Sequence, residues 1–208
     1  MRESLCARLQ SLDDNPAKAE MILALPKRSV MASANSRCLL TLLHPEKDPL
    51  LQFAAARTLS WADGVGAADH VVPVLLRLVR DAKPLVQIYK LIATRGYDAV
   101  DEISICLCLV GRQQAPNILP VLLDVLDRYT GFNAAMIAHT LLCLALDNTP
   151  QAPGTTFGDL TSEQQQVLLR IGTSTRAWRY AGNMAETLAF YGLPNTKKVL
   201  DEFCMIER

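Results

Sequence analysis

The chain has 208 residues, enough for one domain or two small ones, and a fold of that size buries roughly 70% of the unfolded surface. Half of the residues are apolar, mostly Leu, Ala and Val, and only 6% are aromatic, a balance that favours helices over strands. Lys plus Arg number 21 and Asp plus Glu 21, so the net charge is zero and the overall basic footprint that a general nucleic-acid binder needs is absent.

Taken in chain order, the opening "MRESLCARLQSLDD" has no continuous apolar core and ends in acids, which is not a signal-peptide pattern. Helices are expected near 2–12, 16–25, 28–43, 49–62, 67–81, 84–95, 98–110, 115–129, 132–146, 161–172, 175–191 (with a break near Gly182-Asn183) and 195–205. Their starts are marked chemically. Asn15-Pro16 and Asp48-Pro49 each place a capping side chain before a proline, whose missing N–H costs nothing in a first turn. Pro84 fits a first turn, Asp98 precedes an apolar run, and Thr161 with Gln164 has capping-box spacing. Gly96, Gly111 and Gly192 follow helical patterns, where left-handed caps are expected. No segment alternates with period two over a strand's length. The long loop "DNTPQAPGTTFGD" (147–159) is expected either to separate a C-terminal cap from the body or to be a functional loop.

Two segments nearly repeat. "HVVPVLLRLVRD" (70–81) returns as "NILPVLLDVLDR" (117–128), with Arg77 replaced by Asp124 and Arg80 by Asp127. Leucine pairs recur at 39–40, 75–76, 122–123 and 168–169, in steps of 36, 47 and 46. Recurrent apolar knobs at such intervals are the mark of stacked helix pairs, in which buried positions repeat and outward ones are free to vary. Leu75, Leu76, Leu122 and Leu123 are therefore expected in the core.

The segment "CLLTLLHPEKDPLLQFAAARTLSWA" (38–62), with Arg57 among alanines, resembles a HEAT repeat. "VVPVLLRLVRDAKPLVQIYKLIATR" (71–95) and "ILPVLLDVLDRYTGFNAAMIAHTLLCLAL" (118–146) resemble further copies, the first with Tyr89 where a small residue is usual. The resemblance covers about half the chain. It implies an all-α fold, an α-solenoid of stacked antiparallel helix pairs of HEAT or armadillo-like type over 1–150. Residues 160–208 would then form a C-terminal helical capping segment, and that ending is similar to the tails of some bacterial HEAT-repeat proteins.

No residue set points to catalysis, a cofactor or a metal. His139 and Cys143 share helical spacing but sit in an apolar run, where core packing is the expectation. Cys106 and Cys108, two apart on a helix, point to different faces. His44, His70 and His139 have no Ser, Cys or Asp setting of a nucleophilic site. "DAVDE" (98–102) gathers carboxylates where the helix dipole favours them. The six cysteines are too few for a disulfide scaffold and lie mostly in apolar runs, so they are expected to be reduced. Apolar runs such as "ICLCLV" (105–110) are far shorter than the roughly 20 residues that cross a bilayer, and the expected location is the cytoplasm.

Residues 1–97 carry 13 basic and 9 acidic side chains, whereas 98–163 carry only Arg112 and Arg128 against eight acids. The resemblance implies a non-enzymatic scaffold that binds a protein partner, with neither a small-molecule substrate nor a membrane partner. The expected contact residues are Arg77, Arg80, Asp81, Asp124, Asp127 and Arg128, joined by Arg179 and Tyr180 beside Trp178 in the tail. The same architecture also serves immunity proteins that neutralise toxins, phycobilin lyase-like subunits, and HEAT-like DNA glycosylases. The last need a basic concave face, which the acidic middle of this chain opposes.

Overall fold

A computed structural model describes residues 4–93, 96, 98–146, 151, 152, 154–174, 181–196 and 198. Among these the fold is all-helical, without strands. The helices are α1 (Leu5–Gln10), α2 (Asn15–Leu23), α3 (Lys27–Val30), α4 (Ser33–Leu42), α5 (Pro49–Asp63), α6 (Ala68–Arg80), α7 (Ala82–Ile92) and α8 (Ala99–Val110). They continue as α9 (Ala115–Val125), α10 (Gly131–Ala145), α11 (Ser162–Thr173) and α12 (Ala181–Phe190). The chain divides into two compact units, Met1–Gln114 and Ala115–Arg208.

Local chemistry explains most of the boundaries. Asp48 accepts from the Leu50 N–H at 2.8 Å and Asp98 from the Val100 N–H at 2.8 Å, starting α5 and α8. Thr161 and Gln164 form the full capping box of α11, and the Gln164 amide also reaches the Ala145 carbonyl at the end of α10 (3.0 Å). At α2 the cap is Asp14 and not Asn15: its carboxylate takes the Ala17 N–H at 2.6 Å, so Asn15 becomes the first helical residue. The single helix expected over 28–43 is two, α3 and α4. The Asn35 side-chain amide bonds the Ser29 carbonyl at 2.7 Å, a local alternative to continuing the helical ladder. Gly96 and Gly192 adopt φ of +78° and +76°, as left-handed caps do, but Gly111 stays right-handed at φ −84°.

In the first unit α5 is the central helix, packed against α2, α3, α4, α6, α7 and α8. It is buried on nearly every side, which its alanines 54–56 permit by letting neighbouring backbones approach. Thr58 ties it to α2 by donating to the Ile22 carbonyl at 3.3 Å. In the second unit α10 plays the equivalent part, packed against α9, α11 and α12. The 147–159 loop is tied to this unit at Gln151, whose N–H donates to the Tyr191 carbonyl at 2.8 Å. A Cβ at Gly192 would stand 2.7 Å from the Gln151 carbonyl oxygen, so glycine is required by space as well as by φ.

The leucine pairs share a register. Leu39, Leu75, Leu122 and Leu168, the first of each pair, are all buried to within about a percent. The second members are half-buried except Leu76, so Leu123 is a partner of the core and not part of it. Successive residues on a helix are about 100° apart, and one stripe holds only one of them squarely inward. Pro73 and Pro120 sit inside α6 and α9 at the matching position, both exposed, on the side where the loss of a backbone bond is compensated by water.

Two further sequence expectations are corrected. Cys6 and Cys38 form a disulfide across 32 residues that fastens α1 to α4, so the thiols are not all reduced and the argument from them to the cytoplasm falls. His139 is exposed rather than packed in the core, while Cys143 on the next turn is buried. Among the described residues no helix is long and apolar enough to cross a membrane.

The described cysteines outside the disulfide yield a measurable ordering. Cys106 is fully buried and its pKa is pushed up to about 12, first by desolvation and then by the charge of Glu102. A thiol reagent applied to the native protein should therefore modify half-buried Cys108 before Cys106 and Cys143, with Cys6 and Cys38 reacting only after reduction. Mass mapping of labelled peptides reads this directly.

Candidate functional site

The charged residues singled out by the repeat lie in both units. In the first, Arg77 is half-buried and its guanidinium donates to the Gln52 side-chain carbonyl. Gln52, itself buried, directs its amide to the carbonyls of His44 (2.9 Å), Pro45 (3.2 Å) and Lys47 (2.6 Å). Arg77 thus braces the α4–α5 turn and lines a groove of about 610 Å³ shared with His44, His70, Pro73 and Val74. Arg80 is exposed. The Asp81 carboxylate takes the Lys83 N–H at 3.0 Å and is the N-cap of α7. In the second unit Asp124 pairs with Arg128 at 2.7 Å across one exposed turn, worth about 0.3–0.5 kcal/mol, and Asp127 pairs with Arg170 of α11. Each of these partners comes from the same unit as the charge it meets. Trp178, Arg179 and Tyr180 lie outside the described residues.

A buried polar cluster joins α5 to α8. Glu102, 1% exposed, meets the Arg57 Nε at 2.5 Å, and the Arg57 guanidinium lies 5.8 Å from the ring centre of exposed Trp61. Only Asp98 of the "DAVDE" acids caps the helix; Glu102 is an ion-pair partner. Asp101, between them, has its pKa raised by partial burial first and then by the charges of Glu102 and Asp98. A carboxyl whose folded pKa lies above its unfolded value loses stability as pH rises through that range. Asp101→Asn should accordingly raise the unfolding midpoint at pH 7, and the gain should disappear below the carboxyl range; thermal melts at pH 7 and pH 3 compare the two.

The surface that stands out is α7. Leu85, Ile88, Leu91 and Ile92 face inward against α5, α6 and α8. On the opposite side Ala82, Val86, Tyr89 and Ala93 follow each other at intervals of four, three and four, all exposed, with Val86 at 58% and Tyr89 at 51%. That is a second apolar stripe, turned to solvent, on a helix already amphipathic through its first. Lys83, Gln87 and Lys90 run alongside it at the same helical spacing, also exposed. Neither ammonium forms an ion pair with a described residue. Next to this basic edge a cavity of about 470 Å³ opens between α7 and α2, lined by Pro16, Glu20, Gln87 and Lys90 among others.

The expected contact set did not include this face. The one signal was Tyr89, which departs from the repeat pattern.

Among the described residues no three His, Cys, Asp or Glu side chains are grouped to hold a metal ion. Comparison of the chain with protein-family models, with curated proteins and with solved structures finds no match. The chain's own surface therefore carries the functional argument.

Proposed function

We propose that this chain is a non-catalytic protein-interaction module, a HEAT-like stack of helix pairs that offers a helical surface to a protein partner. Support for the stack comes from the shared burial register of the four leucine pairs and from helices α5 and α10, each enclosed by its neighbours. The observation that carries the binding role is the exposed Val86–Tyr89 face of α7, since Tyr is enriched at interface hot spots and a solvent-facing apolar stripe on an amphipathic helix is costly without a use. Fold resemblance alone assigns no partner.

Chemical cross-linking in the native cell followed by affinity capture tests it. A specific protein enriched with the wild-type chain, and depleted at least tenfold with Tyr89→Ala, is the expected result. Recovery of no protein above background with the folded wild-type chain would overturn the interaction role.

A further inference from the structure

Resting on that interaction role, we infer that α7 receives an amphipathic helix whose apolar stripe is edged by carboxylates. The receiving face has two parallel halves. Ala82, Val86, Tyr89 and Ala93 form the apolar half, and Lys83, Gln87 and Lys90 the polar half, rotated by about a quarter of a turn. From Ala82 to Ala93 the stripe is about 16 Å long, which matches three turns of a partner helix.

Charge decides the occupant. Among the described residues the exposed cations on or beside α7 are Arg80, Lys83 and Lys90. The acids near them include Asp81, which accepts the Lys83 N–H as the cap of α7, and Glu20 and Asp48, which line the neighbouring cavity with Lys90, Asp48 accepting the Leu50 N–H as the cap of α5. Lys83 and Lys90 are left with no ion-pair partner among described residues, two cations on one helical face about two turns apart. A partner helix with Leu or Ile at every third and fourth position and Glu or Asp beside them satisfies both halves at once, the apolar side chains on Val86 and Tyr89 and the carboxylates on the lysines. A second copy of this chain brings the same apolar stripe but no carboxylate to meet the lysines, and antiparallel pairing sets lysine against lysine. An anionic membrane would satisfy the lysines, but two large apolar side chains bury too little surface to hold the protein there without a further anchor.

The test uses the full-length chain and two synthetic 18-residue helical peptides that share one leucine stripe, edged by glutamate in one and by lysine in the other. Binding is followed by fluorescence anisotropy and by amide shifts of α7. The glutamate-edged peptide should bind at least tenfold more tightly, with shifts centred on Val86 and Tyr89. Val86→Asp should abolish that binding, and Lys83→Glu combined with Lys90→Glu should reverse the preference; both substitutions are on the surface, and circular dichroism confirms the fold. Equal binding of the two peptides, no binding of either, an unchanged preference after charge reversal, or stronger binding to phosphatidylserine vesicles would each overturn the inference. A protein captured from cells equally well by wild type and by Val86→Asp would overturn it too, while leaving the broader interaction role standing.

Discussion

Arg57→Met should destabilise the first unit by about 3–5 kcal/mol at neutral pH, because it strands the carboxylate of Glu102 in an interior from which water is excluded. Glu102→Leu should cost less. Arg57 is 18% exposed and lies against Trp61, so its guanidinium can turn to solvent or rest on the indole face when its partner is lost. The double substitution removes both desolvated charges together and should recover to within about 1–2 kcal/mol of the wild type, since a buried ion pair contributes little net stability against well-packed apolar side chains. Denaturant unfolding of the four proteins at one pH measures the coupling. Single substitutions that each cost less than about 1 kcal/mol would place the pair with ordinary surface salt bridges.

Leu122→Ala should cost the second unit about 2–5 kcal/mol, the range for truncating a fully buried leucine and leaving a cavity. Leu123→Ala should cost distinctly less, because its side chain is only half-buried and the site partly refills with water. Equilibrium denaturation followed in the second unit, by hydrogen exchange of α9 and α10, separates its response from that of the first. Equal losses at the two positions would contradict the register in which the first leucine of each pair faces inward.

The difference between those two leucines shows where sequence reasoning stops. The recurrence of "LL" at four places is visible in the letters and correctly points to the core, yet the letters treat both members alike. Which one faces inward depends on the rotation of the helix against its neighbours, and that is set by packing. The caps behave in the opposite way. Asp48, Asp98 and Thr161 bond amides two or three residues away, so their roles follow from the local sequence. Even there, competition between adjacent candidates is decided by geometry, as Asp14 displaces Asn15 at the start of α2.

The candidate surface was legible only in outline. Helix α7 was foreseen, and so was the oddity of Tyr89, but the heptad-like pattern of its residues supports two apolar faces and does not say which is enclosed. Enclosure came from α5, α6 and α8, which cover Leu85, Ile88 and Ile92 and leave Val86 and Tyr89 in water. Likewise Arg77 was read as an outward charge because its counterpart in the repeat is an acid, whereas Gln52, 25 residues earlier, draws it into the bracing of a turn.

Helix content, most helix ends, the absence of strands among the described residues and the recurrence of leucine pairs at the core all follow from the amino-acid order, because propensity, capping and apolar periodicity act over three or four residues. The Arg57–Glu102 pair spans 45 residues and the Cys6–Cys38 bond 32, and neither carries a local mark in the chain. Such partners are chosen only when the helices dock: the free energy of burying apolar faces sets the docking, and the polar groups then take whichever neighbours the packed backbone places within about 3 Å.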